Sequence, residues 1–400
     1  MKKTATIILI LTVMASVSLF CLCAYVLRYA EGWITFYWDS HYLQEQLVSK
    51  GVGEVLRAFL LQYFAVPHCG TAVMTVIAVV VALLAMVAVR LMTRRRQWVY
   101  LSLIPALATP FALLAFLSPN GLTALTMRFS ESEKDNVMYV ELSNMARDED
   151  WDGIVRKCEE SGRLSNLLVQ NFLNMALAER GELGDRLLDE PCRDIRSIYN
   201  ESVENPDFAA LLSDIFYSMG HIAQSQRYAF ELNQKKDNMS PRLLKRLVQT
   251  NIIYGQYDVA RKYLMWLKKT AYYKDWAEAQ ERYLNHDEIV ENDDEYGMKR
   301  LCLIPDNRFT GIKGLDDDLL NIARATRGKR QCRTTLQYLA SLYLLAEYKK
   351  EFVSLCDEFK EYKLNDQKYF RWVLLIPTVK NVNYVGLTFC HLLVSFRYKS

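Results

Sequence analysis

The chain has 400 residues, a length that predicts more than one domain, because a typical single domain has about 150 residues. Its formal net charge of +3 excludes the strong overall attraction to nucleic acid that a highly basic protein has, so we expect no nucleic-acid partner. Three long apolar runs lie near the N terminus, and the remainder has an ordinary soluble composition. These features predict an N-terminal membrane domain, residues 1–118, followed by an exposed domain.

The first apolar run, residues 5–27, follows Lys2 and Lys3. A basic start and an apolar core are also typical of a cleaved signal peptide. The run is long enough to cross a bilayer, which takes about 20 residues, whereas a signal core has about 7–15. No clean small-x-small cleavage site precedes Cys23. We therefore expect an uncleaved first membrane span, with a cleaved signal peptide as the alternative.

Residues 29–70 connect the first span to the second and are rich in aromatic side chains. They include Trp33, Phe36, Tyr37, Trp38 and Tyr42. Trp and Tyr favour the headgroup level of a bilayer, where the apolar ring and the polar edge are both satisfied. Within the connector, residues 52–64 have apolar side chains at helical spacing. This pattern predicts an amphipathic helix, which either lies in the membrane interface or is a soluble connector.

Two further apolar runs, 71–89 and 98–117, predict the second and third spans. The turn between them is basic and contains Arg90, Arg94, Arg95 and Arg96. Short loops that are rich in Lys and Arg stay in the cytoplasm. Together with Lys2 and Lys3, this turn therefore predicts a cytoplasmic N terminus and an extracytoplasmic location for the chain after residue 118.

Residues 119–284 contain a repeating helical pattern. Each copy has a helix, a turn with a small residue, and a second helix that starts with an aromatic or aliphatic residue, as in tetratricopeptide (TPR) repeats. The positions that define the copies are Trp151, Gly181, Leu183, Gly220, Ile222, Gly255, Tyr257, Ala260 and Tyr348. From Trp151 to Tyr257 the steps are 32, 39 and 35 residues, close to the TPR period of about 34. The next step, to Tyr348, is 91 residues and contains an interruption.

We therefore predict an all-α fold, with N-terminal transmembrane helices followed by a TPR-like α-solenoid of stacked helical hairpins. The interruption, 285–329, is predicted to be an acidic insertion or loop, because charge runs are usually solvated. Residues 330–379 predict a further helical hairpin, and residues 380–400 an atypical tail. The six cysteines after residue 120 are either buried thiols or, outside the cytoplasm, disulfide-bonded.

The sequence contains no recognisable catalytic or metal-binding motif. The five histidines form no H-E-x-x-H pair, and no P-loop or G-x-S-x-G nucleophile motif occurs. The predicted spans have no Asp, Glu, Lys or His in their interiors, which argues against a self-contained transporter. We therefore expect no enzyme activity, no cofactor and no bound metal.

Four stretches carry a resemblance to a known family. They are YWDSHYLQEQL at 37–47, AFLLQYF at 58–64, DIFYSMGH at 214–221 and SPRLLKRLVQTN at 240–251. They resemble an uncharacterised family of polytopic bacterial membrane proteins that have many spans followed by a TPR-like region. The resemblance extends to about Leu284 and implies a bacterial inner membrane and a helical-repeat domain. It implies no activity and no functional residues, and this chain departs from the family in its three spans and unusual carboxyl end.

These patterns predict a membrane-anchored protein with two kinds of partner: the lipid bilayer, and a protein or peptide on the face of the helical repeats. Stacked repeats leave a concave face that is typical of such binding. The alternative is an accessory or degenerate subunit of a system that makes or exports an envelope polymer. In that case, the aromatic connector would form a lipid-proximal site. A third hypothesis, an enzyme, would require an unfamiliar site such as one in the acidic insertion.

Overall fold

The computed structural model describes residues 2–93, 100–118, 122–123, 125, 134–162, 166–189, 195–199, 207–235, 239–303 and 314–375. All regular structure in these residues is helical, and no strand occurs among them. The chain divides into two compact units. Unit 1 is formed by residues 1–144, 236–245 and 262–281, and unit 2 by residues 145–235, 246–261 and 282–400.

The helices follow one another with short connections. The first six are α1 (Lys2–Trp33), α2 (Ser40–Ser49), α3 (Gly51–Leu61), α4 (Pro67–Thr93), α5 (Leu103–Leu117) and α6 (Lys134–Arg147). The next eight are α7 (Trp151–Ser161), α8 (Leu167–Arg180), α9 (Leu183–Arg186), α10 (Asp207–Met219), α11 (Ile222–Lys235), α12 (Pro241–Ile253), α13 (Tyr257–Leu267) and α14 (Lys274–Gln280). The last six are α15 (Asp287–Glu291), α16 (Tyr296–Arg300), α17 (Leu315–Ala325), α18 (Arg330–Leu345), α19 (Lys349–Glu358) and α20 (Lys368–Leu375).

Three helices of unit 1, α1, α4 and α5, pack against one another. The stretches that are long and apolar enough to cross a membrane are Lys3–Trp33, Pro67–Met92 and Tyr100–Leu117. At one end of this bundle, Ile8 shares a core cluster with Met86 and Ala106. At the other end, Phe20 and Leu27 share a cluster with Leu114 and Leu117. The three helices therefore alternate in direction, and the start of α1 lies at the same end as the end of α4.

The helix boundaries in unit 1 differ from the sequence predictions in detail. The predicted spans 5–27 and 71–89 are the inner parts of longer helices, because the backbone hydrogen bonds continue beyond the apolar runs. The predicted amphipathic helix, 52–64, is α3, which changes to a 3-10 segment at Gln62–Ala65. Val66 is then extended, as expected for a residue that precedes proline.

Unit 1 also contains segments from the middle of the chain. The Tyr37 hydroxyl donates to the Met239 carbonyl at 2.8 Å, and the Ser240 hydroxyl donates to the Gly32 carbonyl at 3.0 Å. The Asn144 side-chain amide donates to the Tyr25 carbonyl at 2.8 Å. The predicted repeat region, 119–284, is therefore divided between the two units. These contacts join positions more than a hundred residues apart, so local periodicity carries no signal for them.

Unit 2 is built from helical hairpins that do not stack simply in chain order. Helix α10 packs against α11, α7 against α8, and α17 against α18. Helix α18 also packs against α8, α9 and α10, which precede it by more than a hundred residues. The late helices thus return to the early hairpins, whereas an open solenoid would place each hairpin only beside its neighbours in sequence. The predicted tail, 380–400, lies outside the described residues.

Candidate functional site

Five turns between helices share one backbone conformation. In each turn, one residue has a positive φ: Glu149, Gly181, Gly220, Gly255 and Glu347. At the third turn, the Gly220 amide donates to Tyr217 and the His221 amide donates to Phe216. The other four turns have the same pair of hydrogen bonds at the same spacing. This is a Schellman helix end, in which a left-handed residue lets two of the last carbonyls of the helix find partners.

The predicted repeat positions lie at these turns. A new helix starts two residues after the left-handed residue, at Trp151, Leu183, Ile222 and Tyr257. Leu183, Ile222, Tyr257 and Ala260 are buried, and Trp151 is half-buried. At the fifth turn the equivalent position is Lys349, so Tyr348 is one residue out of register. Tyr348 is 52% exposed, so it does not pack into the core as the other repeat positions do.

The predicted interruption ends with α17, which packs against α18 and forms a hairpin with it that the sequence pattern does not predict. The Arg324 and Arg327 guanidinium groups bind the Glu358 and Glu361 carboxylates, each at 2.6 Å, and each pair is 34 residues apart. Helix α17 also starts 34 residues before α19. The hairpin α17–α18 therefore restores the 34-residue period. The only sequence signal for it is R-x-x-R at 324–327 followed 34 residues later by E-x-x-E.

Side chains from the C-terminal half bind the carbonyls at the end of α10. The Lys299 ammonium donates to the Tyr217 carbonyl at 2.5 Å. The Gln331 amide and the Thr335 hydroxyl donate to the next two carbonyls, those of Ser218 and Met219, at 2.7 and 2.8 Å. The last carbonyls of a helix have no partner within the helix, and basic groups are favoured there by the helix dipole. These three side chains therefore cap the C-terminal end of α10.

Arg300, the neighbour of Lys299, does the same at the end of α12. Its guanidinium donates to the carbonyls of Ile252 and Ile253 at 3.0 and 3.1 Å and to the Asp287 carboxylate at 2.7 Å. Two adjacent basic residues therefore bind the ends of two successive first helices of the hairpins. We name residues 282–303 the clamp segment.

The predicted acidic insertion or loop, 285–329, is not a loop in its described part, which contains the helices α15, α16 and α17. Three of its carboxylates accept hydrogen bonds from tyrosine hydroxyls at 2.5 Å. The pairs are Tyr257 with Asp287, Tyr283 with Asp293, and Tyr217 with Glu295. Tyr257 and Tyr217 lie 30 and 78 residues from their acidic partners, so composition alone predicts a solvated loop here. Residues 304–313 lie outside the described part of the chain.

A buried charged cluster surrounds Tyr217. The Arg246 guanidinium lies 3.8 Å from the centre of the Tyr217 ring and binds the Asp214 carboxylate at 2.9 Å. The Lys299 ammonium lies 4.5 Å from the same ring. Burial lowers the pKa of Lys299, although the Glu179 carboxylate opposes that shift. Burial, with the Glu295 carboxylate, raises the pKa of Tyr217. Tyr217 and Lys299 are buried in this cluster, whereas the Arg246 and Asp214 side chains keep a small exposed fraction.

Helix α18 fills the face that is formed by the first helices α8 and α10. The Gly184 amide donates to the Gln337 side chain at 3.1 Å, and the Tyr338 hydroxyl lies 3.1 Å from the Ser218 hydroxyl. Nearly every side chain of α18 from Gln331 to Leu344 is buried. Helix α18 therefore packs on α8 and α10, which precede the second and third of the five turns.

The aromatic connector forms a continuous set of ring contacts within unit 1. Tyr37 is buried between Tyr42 and Trp266, with ring centres 5.3 and 5.9 Å away. Phe36 and Trp38 both contact Phe59 of α3. Trp38 is 59% exposed, whereas its neighbours Phe36 and Tyr37 are buried.

The backbone after Trp38 is held by residues that follow α13. The Trp38 amide donates to the Lys269 carbonyl at 2.7 Å, and the Lys269 ammonium binds the Asp39 carboxylate at 2.7 Å. The hydrogen bond from Lys269 lowers the pKa of Asp39. Trp38 therefore has a fixed backbone and an accessible ring.

The basic residues that determine the predicted topology are only partly described. Lys2 and Lys3 lie in the first turn of α1, and Arg90 lies near the end of α4. Arg94, Arg95 and Arg96 lie outside the described residues. Lys3 and Arg90 are at the same end of the bundle, because α1 and α4 run in opposite directions.

The described residues contain no group of three or more His, Cys, Asp or Glu side chains that could hold a metal ion. The described cysteines are free thiols: Cys21, Cys23, Cys69, Cys158, Cys302, Cys332 and Cys356. Burial raises the pKa of Cys302 and of Cys356 to about 11, which makes both thiols unreactive near neutral pH. Cys192 and Cys390 lie outside the described part.

Comparison with known proteins identifies the family. A model described as "Family of unknown function (DUF6057)" matches residues 1–127 and 109–370. The chain belongs to this family. The DUF6057 match extends past Leu284, where the sequence resemblance ends, and includes the clamp segment and the α17–α18 hairpin. No curated protein and no solved structure matches the chain.

Proposed function

We propose that this DUF6057 protein is a membrane-anchored helical-repeat protein that binds another protein at the extracytoplasmic face of a bacterial inner membrane and catalyses no reaction. The observation that carries the proposal is the set of five turns with one Schellman geometry, joined to three helices long enough to cross a bilayer. Hairpins of this type resemble TPR repeats, whose usual role is to bind protein segments. The step from repeat to binding is an analogy at the level of fold.

The partner surface lies on the second helices of the hairpins in this proposal. Helix α18 covers the first helices α8 and α10, and a peptide has no access to that face. Helix α11 is the second helix of the third hairpin, and its Phe230 is 45% exposed. Arg227 and Glu231 flank Phe230 on the same helix and form an ion pair at 2.8 Å. An exposed aromatic ring with charged neighbours is typical of protein-binding surfaces.

The orientation rests on the basic residues. Lys3 and Arg90 lie at one end of the bundle, and the other arginines of the basic turn follow Arg90 in the sequence. Short basic segments stay in the cytoplasm. An odd number of crossings then places the chain after residue 118 on the opposite side.

Labelling of single cysteines tests this orientation. Asp258→Cys and Asn292→Cys are suitable because both positions are exposed. In intact spheroplasts an impermeant maleimide should label both positions, in a background that lacks the native cysteines. Lys3→Cys is the matched control for the other side and should react only after lysis. Protection of Asp258→Cys and Asn292→Cys until lysis contradicts the proposal.

Photo-crosslinking tests the binding surface. A benzophenone amino acid at Glu231 should give one discrete crosslinked product in native membranes, because the neighbouring Phe230 ring contacts the partner. The matched chain carries Phe230→Lys and the same benzophenone, and its product should fall several-fold. A product of equal intensity in both chains, or none in either, argues against a partner on α11.

The second candidate function is an accessory subunit for an envelope polymer, and the exposed Trp38 ring favours it. Exposed aromatic rings near a membrane are suited to stacking on sugars or lying at the headgroup level. Trp38→Ala is the clean test, because Trp33 and Tyr37 are buried and their removal would disturb the fold. Normal handling of lipid-linked glycan in cells with Trp38→Ala counts against this function.

A further inference from the structure

The corner between α2 and α3 carries an exposed apolar surface close to the ends of the spans. Val48 and Val52, on either side of the corner, are 90% and 71% exposed. Leu47 and Leu56 are also exposed. Gly51 forms the corner itself, with a φ of 84° that favours glycine. A cluster of four exposed aliphatic side chains on two short helices requires a covering, because soluble surfaces rarely group them in this way.

Helix α3 is exposed near its start and buried at its end. Leu60 and Leu61 are buried in the core that contains Leu27 and Leu117 of the spans. Val52 and Leu56, in the first two turns of the helix, are exposed. The end of α3 therefore fixes the helix to the bundle, and its first turns meet whatever surrounds the bundle at that level.

An arginine sets that level. The Arg57 guanidinium donates to the carbonyl of Leu117, the last residue of α5, at 3.0 Å. It also binds the Glu54 carboxylate at 3.2 Å. A carbonyl at the end of a spanning helix needs a donor at the membrane boundary. Helix α3 therefore lies at the depth where α5 ends, and the short segment Gln62–Ala65 leads from it towards the start of α4.

We propose that the α2–α3 corner is a second membrane anchor, which inserts Leu47, Val48, Val52 and Leu56 into the boundary between headgroups and acyl chains. The lipid of the leaflet in which α1 ends is its occupant. This inference rests on the proposed membrane anchoring and adds a face to it. The aromatic contacts of Trp38 with Phe59 place that ring at the same boundary, where Trp is favoured.

The charge of the corner indicates what holds it there. Residues 40–61 contain two acidic and two basic side chains, Glu45, Glu54, Lys50 and Arg57. The segment therefore has no net charge to attract anionic lipid, and apolar burial is the main contribution. Insertion should consequently occur in a bilayer of zwitterionic lipid alone and should persist at high salt.

Depth-dependent quenching tests the proposal on the full chain in nanodiscs of phosphatidylcholine. Val48→Cys and Val52→Cys, each in a background that lacks Cys21, Cys69 and Cys356, carry an environment-sensitive fluorophore. A nitroxide at carbon 5 of the acyl chain should reduce the fluorescence of each about twofold, because such helices lie about 5–10 Å deep. Asp275→Cys, at an exposed position of unit 1, is the matched control and should keep its fluorescence.

Val80→Cys, in the middle of α4, separates this inference from the membrane anchoring itself. Quenching of Val80→Cys by a deep nitroxide, with no quenching at either corner position, overturns the corner anchor and leaves the spans in place. No quenching at any of the three positions overturns the anchoring as well. Quenching at the corner only after anionic lipid is added overturns insertion by apolar burial. Either corner variant is sufficient if the other fails to fold.

Discussion

Lys299 and Arg300 are adjacent residues with the same role at two helix ends. Each donates hydrogen bonds to carbonyls at the end of a helix, that of Tyr217 for Lys299 and those of Ile252 and Ile253 for Arg300. Their environments differ, because Arg300 has the Asp287 carboxylate and Lys299 has neutral acceptors and an aromatic ring. Single substitutions should therefore separate a paired cation from a buried one that has no ion pair with any described residue.

Arg300→Met should lower the free energy of unfolding by about 1–3 kcal/mol, because the Ile253 carbonyl loses its donor while the Ile252 carbonyl keeps the Gly255 amide. Urea unfolding of the full chain in detergent micelles, followed by far-UV circular dichroism, measures this loss. Arg261→Met is the matched control. The partner of Arg261, Asp258, has an 87% exposed side chain, and the loss of such a pair should cost less than about 1 kcal/mol. Equal losses in both variants would show that Arg300 is not a cap.

Lys299 should make stability depend on alkaline pH. Burial lowers its pKa in the folded state below the unfolded value, so the unfolded chain binds more protons between the two values. The free energy of unfolding therefore rises with pH in that window, with a slope of at most about 1.4 kcal/mol per pH unit. The buried thiols Cys302 and Cys356 contribute with the opposite sign, so the rise is measured as a difference. In urea unfolding between pH 8 and 10, the free energy of unfolding of the natural chain should rise relative to that of Lys299→Met.

Lys268→Met is the control for the pH series. The hydrogen bond from Lys268 to Glu281 raises the pKa of that lysine, so its contribution has the opposite sign and is lost as pH rises through the folded value. The natural chain should therefore show no such rise relative to Lys268→Met between pH 8 and 10. The same pH slope in the natural chain and in Lys299→Met would contradict the assignment to Lys299.

At the scale of elements, the turns are the best-defined feature of the repeat. Gly220 has a φ of 88°, and a Cβ there would meet atoms of Cys302, Gln331 and Ile322 at 3.1 Å. Gly162, which follows α7, has a φ of 62°. No atom of the described residues would lie within 4 Å of a Cβ at Gly162. The two glycines separate the cost of a left-handed backbone from the cost of crowding.

Gly220→Ala should destabilise the chain by about 2–5 kcal/mol. The left-handed conformation costs about 1–2 kcal/mol for alanine, and overpacking adds about 1–3 kcal/mol. Gly162→Ala, the matched variant, should cost only the first of these. Thermal unfolding in micelles gives the comparison. Equal losses of stability in the two variants would show that the side chains of Cys302, Gln331 and Ile322 do not crowd a Cβ at position 220.

The elements also show what sequence can and cannot predict. Helices follow local periodicity, and three turns were visible because glycine marks the left-handed residue at Gly181, Gly220 and Gly255. At the fifth turn the left-handed residue is Glu347 instead of a glycine. The sequence pattern therefore predicts the start of the next helix one residue early, at Tyr348 instead of Lys349. The sequence pattern predicts neither the partners of the acidic run nor the α17–α18 hairpin. A helical pattern shows which face of a helix is apolar or charged, but not which element packs against that face.

At the scale of the molecule, α18 connects the two halves of unit 2. It contacts α8 and α10 as well as α17 and α19, and residues separated by 153 positions form hydrogen bonds. Stability in an open solenoid is a sum over neighbouring repeats. Here, instead, a change in α18 should spread to hairpins that are distant in sequence.

Leu339→Ala, in the buried middle of α18, should cost roughly 2–5 kcal/mol. Hydrogen exchange measured by mass spectrometry should then increase in Leu167–Arg180 and Asp207–Met219 as well as in α19. Tyr348→Ala, at an exposed position nearby, should leave exchange in those helices unchanged. Faster exchange confined to α17 and α19 would indicate an ordinary stack of neighbours.

The position of α18 has a consequence for the order of synthesis. Gly184 is made 153 residues before its partner Gln337. At about 5–20 residues per second, the ribosome needs roughly 10–30 s to supply that partner. During this time α8 and α10 have left the ribosome while the helix that covers their shared face does not yet exist. Nascent chains of this protein therefore present an uncovered apolar face to chaperones for seconds, long after their first hairpins can form.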